Sequence, residues 1–244
     1  MPLTLATTTP GEPEIFASVQ GEGPSMGKPC AFVRLSRCNL ACVWCDTAYT
    51  WRFTGDNRPH RDGIAYDRAE NQLTLPEEDV AARIAALGMK RLVITGGEPL
   101  LQAPALARML EYLPGMIVEI ETNGTVKPAE ALEPFVAQYN VSLKLSHSGN
   151  PAELALIPER LEGWVAEPKA TFKFVVATME DVAEVLALAE AHAIPRERIM
   201  VMGEGTDQQT LERREAWLAD VCIREQLTLS KRLHIQLFGD SRGT

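Results

Sequence analysis

The chain has few of the features that mark a secreted, membrane-spanning or DNA-binding protein. Its 244 residues include only five cysteines, an odd number, three of them clustered, which argues against a disulfide framework. No apolar run approaches the length of a membrane span, and the N-terminus has no charged segment followed by an apolar stretch. Acidic residues outnumber basic ones, 33 to 24, and the net charge of −9 disfavours binding to duplex nucleic acid. We therefore expect a cytoplasmic protein with neither a membrane anchor nor a secretion signal.

What remains is the composition of an ordinary globular protein. Apolar residues make up 45% and charged residues 23% of the chain, and we find no internal repeat or low-complexity segment. This length predicts a single domain, residues 1–244, with ample capacity for a core. The polar segment Arg52–Thr74 is predicted to be a surface excursion or lid near the mouth of a site.

Short β-rich runs alternate with helical stretches, which favours parallel strands joined by right-handed crossovers. Strands are predicted at Ala31–Leu35, Leu92–Thr95, Ile117–Ile120, Val141–Leu145, Phe172–Val176, Ile199–Met202 and Leu233–Phe238. Helices are predicted at Pro76–Leu87, Pro104–Tyr112, Pro128–Ala137, Glu180–Ala191 and Asp207–Leu227. A doubly wound sheet and a barrel both fit this order, although six or seven strands are too few for a closed eight-stranded barrel.

Polar residues follow most of the predicted strands at the end where both architectures bind ligands. The segments are Cys38 after the first strand, then Thr95–Pro99, Glu121–Gly124, Ser146–Gly149 and Gly203–Gly205. The sequence therefore predicts a site at the C-terminal edge of the sheet.

The most informative of these segments contains three cysteines, Cys38, Cys42 and Cys45, within a few residues of one another. Such a loop can hold three corners of a 4Fe–4S cluster and leave one iron open, whereas electron-carrying clusters normally have four cysteines. An open coordination position on a metal is where chemistry occurs. A zinc site is an alternative, although the chain lacks a second Cys or His pair, and buried core thiols are another. We interpret Cys30 and Cys222 as buried thiols.

Two glycines, Gly96 and Gly97, follow the second predicted parallel strand and precede Glu98. Glycine lets the backbone approach a ligand closely, and a neighbouring carboxylate can accept hydrogen bonds from an ammonium group. Together with the cysteine spacing, this segment resembles the radical S-adenosylmethionine (SAM) superfamily. The resemblance implies a 4Fe–4S cluster on the cysteines, SAM chelated to the open iron, and a 5′-deoxyadenosyl radical that abstracts hydrogen from a substrate.

Further segments, Gln20–Gly23, Arg34 and Cys45–Thr47, resemble the 7-carboxy-7-deazaguanine synthases. An amide beside a carboxylate suits the edge of a pterin or guanine-like ring. The resemblance implies Mg²⁺-dependent radical ring contraction of 6-carboxy-5,6,7,8-tetrahydropterin to 7-carboxy-7-deazaguanine, with loss of ammonia, in queuosine-type 7-deazapurine biosynthesis. It also favours a modified, incomplete (β/α)6-type TIM-like barrel with six core parallel strands.

The same resemblance implies a role for each matching residue. The substrate contacts would be Val19, Gln20, Gly21, Glu22, Arg34 and Thr95. The cofactor contacts would be Gly97, Glu121, Ser142 and Lys144, and the metal ligands Cys38, Cys42 and Cys45 for iron and Thr47 for Mg²⁺. Leu143 departs from the proline that the family often has, which weakens the assignment of Lys144.

Residues near the end of the chain match the family only loosely. Gln236, Arg242 and the terminal carboxylate are each candidates to close the site, while His234 is interpreted as structural. The resemblance implies a flavodoxin- or ferredoxin-like electron donor and a homodimer. Two alternatives stay open: a radical SAM activating enzyme that installs a glycyl radical on a protein partner, and a non-catalytic metal-binding protein.

Overall fold

The fold is taken from a computed structural model, which describes residues 2–244. In that range the strands are β1 Leu3–Thr9, β2 Glu12–Pro13, β3 Ile15–Val19, β4 Pro29–Leu35, β5 Gln72–Leu75, β6 Arg91–Gly96, β7 Ile117–Thr122, β8 Val136–Val141, β9 Ala170–Val176, β10 Ile199–Gly203 and β11 Thr228–Ser230. The α-helices are α1 Arg68–Asn71, α2 Glu77–Ala86, α3 Ala103–Glu111, α4 Ala152–Ala155, α5 Pro158–Ala166, α6 Met179–Ala191, α7 Gln208–Glu225 and α8 Leu233–Phe238. None of the helices in this range is long and apolar enough to cross a membrane.

The strands form one sheet whose central part is parallel. From β4 the order runs β6, β7, β8, β9, β10 and β11, and each neighbouring pair is parallel. The N-terminal strands β1, β2, β3 and β5 extend the other side with antiparallel pairs. Since β11 and β2 end the strand order without pairing to each other, the sheet stays open. The predicted α/β fold with an incomplete, TIM-like barrel is confirmed.

The core lies between the sheet and its helices and is mostly apolar. Leu106 of α3, Val185 of α6 and Leu218 of α7 are completely buried, as are Phe172 and Phe174 on β9. On α6, Val182, Val185 and Ala189 recur at helical spacing, and Phe172 and Phe174 alternate along β9, as burial of one face requires.

Most of the predicted elements are confirmed within a residue or two at each end. The confirmed strands are those at Ala31–Leu35, Leu92–Thr95, Ile117–Ile120, Phe172–Val176 and Ile199–Met202. The confirmed helices are those at Pro76–Leu87, Pro104–Tyr112, Glu180–Ala191 and Asp207–Leu227.

The helix predicted at Pro128–Ala137 is wrong. One short 3-10 turn, Glu130–Leu132, precedes strand β8. Pro134 has no backbone N–H and its ring would clash with the preceding turn, so a helix cannot continue through this segment.

The strand predicted at Val141–Leu145 lies too far along the chain, because β8 ends at Val141. Val141, Leu143 and Leu145 are all buried, which explains the strand-like alternation. Beyond the bond from Ser142 N to Thr122 O (2.7 Å), this extended segment leaves the ladder and enters the cavity wall.

The strand predicted at Leu233–Phe238 is also wrong, because these residues form helix α8. Ile235 is buried, whereas Leu237 and Phe238 remain 54% and 46% exposed. After β11, which pairs with β10, the chain leaves the sheet, because Leu233 N donates to Gly21 O at 2.9 Å and does not join the ladder.

The segment 52–74 lies outside the sheet until it reaches β5. Phe53 is buried and forms an isolated bridge with Tyr66, while residues 61–65 are exposed. The segment then enters α1 and β5, and β5 pairs with β1.

Replacing Trp164 tests the packing of the core. Its indole ring is completely buried, packs edge-on against Tyr139 at 5.1 Å, and donates to Gly124 O at 3.0 Å. Trp164→Ala should lower the free energy of unfolding by ~3–5 kcal/mol, since it leaves a cavity and an unpaired carbonyl. Urea denaturation measures the change. Tyr112→Ala, at a 57% exposed position, is the control and should leave stability nearly unchanged; equal effects would contradict this account of the core.

Candidate active site

A cavity of about 380 Å³ lies at the C-terminal ends of the parallel strands. Its walls come from the ends of β4, β6, β7, β9 and β10 and from the loops that follow them. All the residues predicted to contact substrate, cofactor or metal line this one cavity: Val19, Gln20, Gly21, Glu22, Arg34, Cys38, Cys42, Cys45, Thr47, Thr95, Gly97, Glu121, Ser142 and Lys144. The fold therefore gathers segments separated by up to half of the chain.

The cysteine loop leaves β4 and is held by backbone and amide hydrogen bonds. Arg37 has a positive φ of 79°, and its N–H donates to Thr50 O at 2.7 Å. On the other side, Val43 N donates to Ser148 O at 2.9 Å and Ala41 N to Asn150 Oδ1 at 2.8 Å. The loop that follows β8 thus shapes the cysteine loop.

All three cysteines of the loop are free thiols on the cavity wall, and a side-chain N–H reaches each sulfur. The donors are Trp51 Nε1 to Cys45 (3.5 Å), Asn150 Nδ2 to Cys42 (3.3 Å) and Asn123 Nδ2 to Cys38 (3.8 Å). Such donors are typical around thiolates that bind iron. Cys30 and Cys222 are buried free thiols, as predicted, and do not line the cavity.

Among residues 2–244, no three His, Cys, Asp or Glu side chains are placed to hold one metal ion. A 4Fe–4S cluster binds each cysteine through a different iron, so its ligands do not need to converge on a single point.

Burial controls the protonation of the cysteine sulfurs. It raises the pKa of Cys38 to about 12 and that of Cys45 to about 11, and it also raises the pKa of Cys42. The thiolate is the form that binds metal, so iron binding at this loop must displace protons.

Gly96 and Gly97 let the end of β6 lie directly against the cysteine loop. Gly96 has a φ of +141°, and a Cβ on Gly97 would lie 2.1 Å from Arg37 O and 2.9 Å from Cys38 Cβ. Glu98 N donates to Arg37 O at 2.9 Å across the same contact. No side chain larger than a hydrogen atom fits at position 97.

The sequence suggested that Glu98 accepts hydrogen bonds from a ligand's ammonium group. Glu98 instead faces away from the cavity and is not available to such a group. Its carboxylate is completely buried and accepts hydrogen bonds from Leu100 N (3.0 Å), Thr122 Oγ1 (2.8 Å) and Asn123 N (2.7 Å). Burial raises the pKa of Glu98, although these hydrogen bonds act to lower it. The residue ties the end of β6 to the end of β7.

A second group of side chains lies across the cavity. Glu121 accepts hydrogen bonds from Gln20 Nε2 at 3.2 Å and from Thr95 Oγ1 at 2.8 Å. The amide of Gln20 therefore lies beside the carboxylate of Glu121 on β7. The carboxylate of Glu22, which is close to Gln20 in sequence, binds other partners.

Glu22 is held by two buried cations that the sequence analysis missed. Lys173 on β9 and Arg232 after β11 both pair with it, and Arg232 also binds Asp46 and donates to Gly205 O at 2.6 Å. Burial alone would raise the pKa of Glu22, but Lys173 and Arg232 hold it well below its ordinary value. A lysine in the middle of an apolar strand is rarely buried without a partner, and that signal could have identified Lys173.

Arg34 is positioned by a buried carboxylate beneath it. Its Nε donates to Glu14 Oε1 at 2.7 Å, and Tyr49 OH donates to Glu14 Oε2 at 2.9 Å. Within residues 2–244 its Nη groups make no hydrogen bond, so part of the guanidinium remains available to a ligand in the cavity.

The remaining predicted residues lie near the cysteines. Thr47 Oγ1 is 3.6 Å from Cys45 Sγ, and Lys144 Nζ donates to Ser142 Oγ at 2.9 Å. The indole N–H of Trp44, which also lines the cavity, is buried without a partner among residues 2–244. An acceptor on a bound molecule would satisfy it.

Residues of α8 and of the segment after it also reach the cavity. The guanidinium of Arg242 lies 3.6 Å from the Tyr49 ring centroid and donates to Asn71 Oδ1 at 2.9 Å. Arg242 and His234 both line the cavity, whereas Gln236 does not. A Cβ on Gly21 would lie 2.1 Å from His234 Nδ1, and burial lowers the pKa of His234.

Comparisons of the sequence and of the structure with known proteins agree with one another. The profile of the Radical SAM superfamily matches residues 33–218. The 7-carboxy-7-deazaguanine synthase of Pyrobaculum aerophilum is 37% identical, over 94% of this chain and 95% of its own, and that of Hyperthermus butylicus is 34% identical, over 91% and 90%. The crystal structure of QueE from Escherichia coli superposes with a TM-score of 0.66 at 26% identity, covering 95% of both chains.

Substitution of Gly97 tests the contact between β6 and the cysteine loop. Gly97→Ala should lose most of the iron that the protein binds after anaerobic reconstitution, because backbone atoms of the loop cannot yield to the new methyl group. Iron and sulfide analysis measures this. Gly163→Ala is the matched control, since a Cβ there meets nothing within 4 Å. Full iron loading in Gly97→Ala would refute the steric argument.

Proposed function

The chain belongs to the radical SAM superfamily and, within it, to the 7-carboxy-7-deazaguanine synthases; from this we propose that its substrate is 6-carboxy-5,6,7,8-tetrahydropterin. The proposed product is 7-carboxy-7-deazaguanine, formed by Mg²⁺-dependent radical ring contraction with loss of ammonia. The product would enter 7-deazapurine biosynthesis of the queuosine type. One observation supports this most: the three cysteines share a single cavity with Arg34 and with the Gln20–Glu121 pair.

The residues fit the cluster and the cofactor of the superfamily. Cys38, Cys42 and Cys45 would hold the cluster, each with an N–H donor at its sulfur. When bound, the cluster and SAM supply the radical that removes a hydrogen atom from the substrate. The narrow space beside Gly97 and the polar groups of Ser142 and Lys144 would position SAM.

The chain's own residues would bind and orient the substrate. The free Nη groups of Arg34 would pair with the substrate carboxylate, because a planar guanidinium matches a carboxylate in two hydrogen bonds. Gln20 and Glu121 offer donors and acceptors to the pyrimidine edge of the pterin, with Val19 and Gly21 beside them. Lys173 and Arg232 would keep Glu22 ionised at the wall of the cavity.

Mg²⁺ would have few protein ligands in this site. Thr47 offers a hydroxyl, whereas Asp46 is already paired with Arg232. Mg²⁺ commonly keeps several waters and binds through one or two protein groups and the substrate. The substrate carboxylate and water would therefore complete the coordination that Thr47 begins.

We also propose the properties that the family suggests for the whole molecule. The chain would act as one domain, residues 1–244, and would form a homodimer in the cytoplasm. A flavodoxin- or ferredoxin-like protein would supply one electron per activation. The excursion 52–74 lies over the cysteine loop, where His60 Nε2 is 2.8 Å from Cys45 O, and it would limit access to the site.

The function is tested by anaerobic turnover of the reconstituted protein. With SAM, a one-electron reductant, Mg²⁺ and the carboxy-tetrahydropterin, mass spectrometry should detect 7-carboxy-7-deazaguanine and released ammonia. Omitting Mg²⁺ should lower the rate, and a Cys42→Ala variant should form no product. If 5′-deoxyadenosine accumulated at the same rate with and without the pterin and no ring-contracted product appeared, an activating enzyme would be favoured instead.

A substitution at Arg34 tests carboxylate recognition. Arg34→Lys keeps the charge next to Glu14 but loses the planar fork, so the KM for the pterin should rise about tenfold, comparable to the loss of one charge-assisted hydrogen bond. Steady-state kinetics should show little change in the KM for SAM. Arg83→Lys, at an exposed position far along the chain, is the control. An unchanged KM for the pterin in Arg34→Lys would rule out this role.

A further inference from the structure

The side chains around the three cysteines form a pattern that the proposed reaction does not by itself require. We propose that Trp51, Asn123 and Asn150 raise the reduction potential of the cluster by donating one N–H hydrogen bond to each cysteine sulfur. The inference rests on the proposed function only for the presence of the cluster, and it is independent of which substrate is bound.

The three donors come from three separate parts of the fold. Trp51 follows the cysteine loop, Asn123 follows β7, and Asn150 follows the extended segment beyond β8. Each donor reaches a different sulfur, at 3.5, 3.8 and 3.3 Å respectively. One side-chain N–H donor for each sulfur is therefore a property of the assembled site, and it adds to the contacts that the cysteine loop makes by itself.

Neighbouring groups determine which way the amides point. Asn150 Oδ1 accepts the N–H of Ala41 at 2.8 Å, so its NH₂ group must face Cys42. Asn123 Oδ1 accepts from Thr125 N at 3.0 Å, which turns its NH₂ group towards Cys38. A flipped amide would place an oxygen against each sulfur and an N–H against another donor.

Trp51 is held in the same way by its surroundings. Its side chain is 5% exposed, the guanidinium of Arg58 lies 4.7 Å from the ring centroid, and His60 packs edge-on at 6.2 Å. The indole N–H has no other acceptor among residues 2–244 than Cys45 Sγ, so its direction is fixed.

The hydrogen bonds raise the reduction potential because they stabilise the negative charge that reduction adds to the cluster. Reduction transfers one electron from an external one-electron donor to the oxidised cluster, and no bond to the protein forms or breaks. The added negative charge spreads onto the cysteine sulfurs, where an N–H donor stabilises it, and burial strengthens each such interaction. The donors therefore favour the reduced cluster. Asn150, with the shortest distance, should contribute most, and Asn123 least.

The potential can be measured on the reconstituted protein without SAM or substrate. Midpoints come from a redox titration in which electron paramagnetic resonance follows the reduced cluster. For Asn150→Asp, which keeps the acceptor for Ala41 N, and for Trp51→Phe, the ratio of reduced to oxidised cluster at a given potential should fall about tenfold. That change equals a midpoint about 59 mV lower for a one-electron couple.

Asn39→Asp is the matched control for added charge. Asn39 lies in the same loop and contacts Asn123 and Thr125 but no sulfur, so this variant should shift the midpoint less than Asn150→Asp. Unchanged midpoints in fully loaded Trp51→Phe and Asn150→Asp would overturn the inference. So would equal shifts in Asn39→Asp and Asn150→Asp combined with no shift in Trp51→Phe.

The wild-type protein provides a test that needs no variant. Resonance Raman bands of the iron–cysteine bonds should shift on transfer from H₂O to D₂O, because the donated hydrogens exchange. Bands that do not move in D₂O would contradict hydrogen bonding at the sulfurs. Failure to form any 4Fe–4S cluster would instead contradict the proposed function, and it would be seen before a potential is measured.

Discussion

The close approach of two backbone segments controls the geometry of this site. The end of β6 lies against the residues that lead from β4 into the cysteine loop, and the hydrogen atoms of Gly96 and Gly97 occupy the only space between them. Because β4 and β6 are adjacent parallel strands, their C-terminal ends are already neighbours in the sheet. The contact therefore needs no rearrangement of parts of the chain that lie far apart. It places three cysteines at the edge of the sheet where the cavity forms.

The rest of the cavity wall contains both polar and apolar residues, and its main charged groups are paired or hydrogen-bonded. Arg34 lies on Glu14, Lys173 and Arg232 share Glu22, and Glu121 accepts from two neutral donors. Buried charges are tolerated when they are paired and hydrogen-bonded. Each pair joins different elements, so the same interactions that neutralise the charges also fix the distances between strand ends. The side of the site that faces the proposed pterin consequently has few unpaired charged groups.

Local signals in the sequence identified much of this arrangement. The spacing of Cys38, Cys42 and Cys45 is carried by one loop, and the polar residues after each strand lie at one edge because parallel strands share a direction. The sequence could not show that Glu98 turns inward, since its partners Thr122 and Asn123 lie at the end of another strand. The helical form of Leu233–Phe238 was equally hidden, because its apolar alternation suits a strand and the bond from Leu233 N to Gly21 O joins residues far apart in the chain. Arg232 was missed for the same reason: its acidic partners lie about two hundred residues away in the chain.

The Asn150 amide has a consequence for the order in which the molecule is made. The cysteine loop is synthesised more than a hundred residues before Asn150, whose side chain holds Ala41 and Cys42 in place. A nascent chain that ends before this residue carries all three cysteines but lacks the group that shapes their loop. The cysteine loop therefore reaches its final shape only after the strands through β8 and the segment that follows them have assembled.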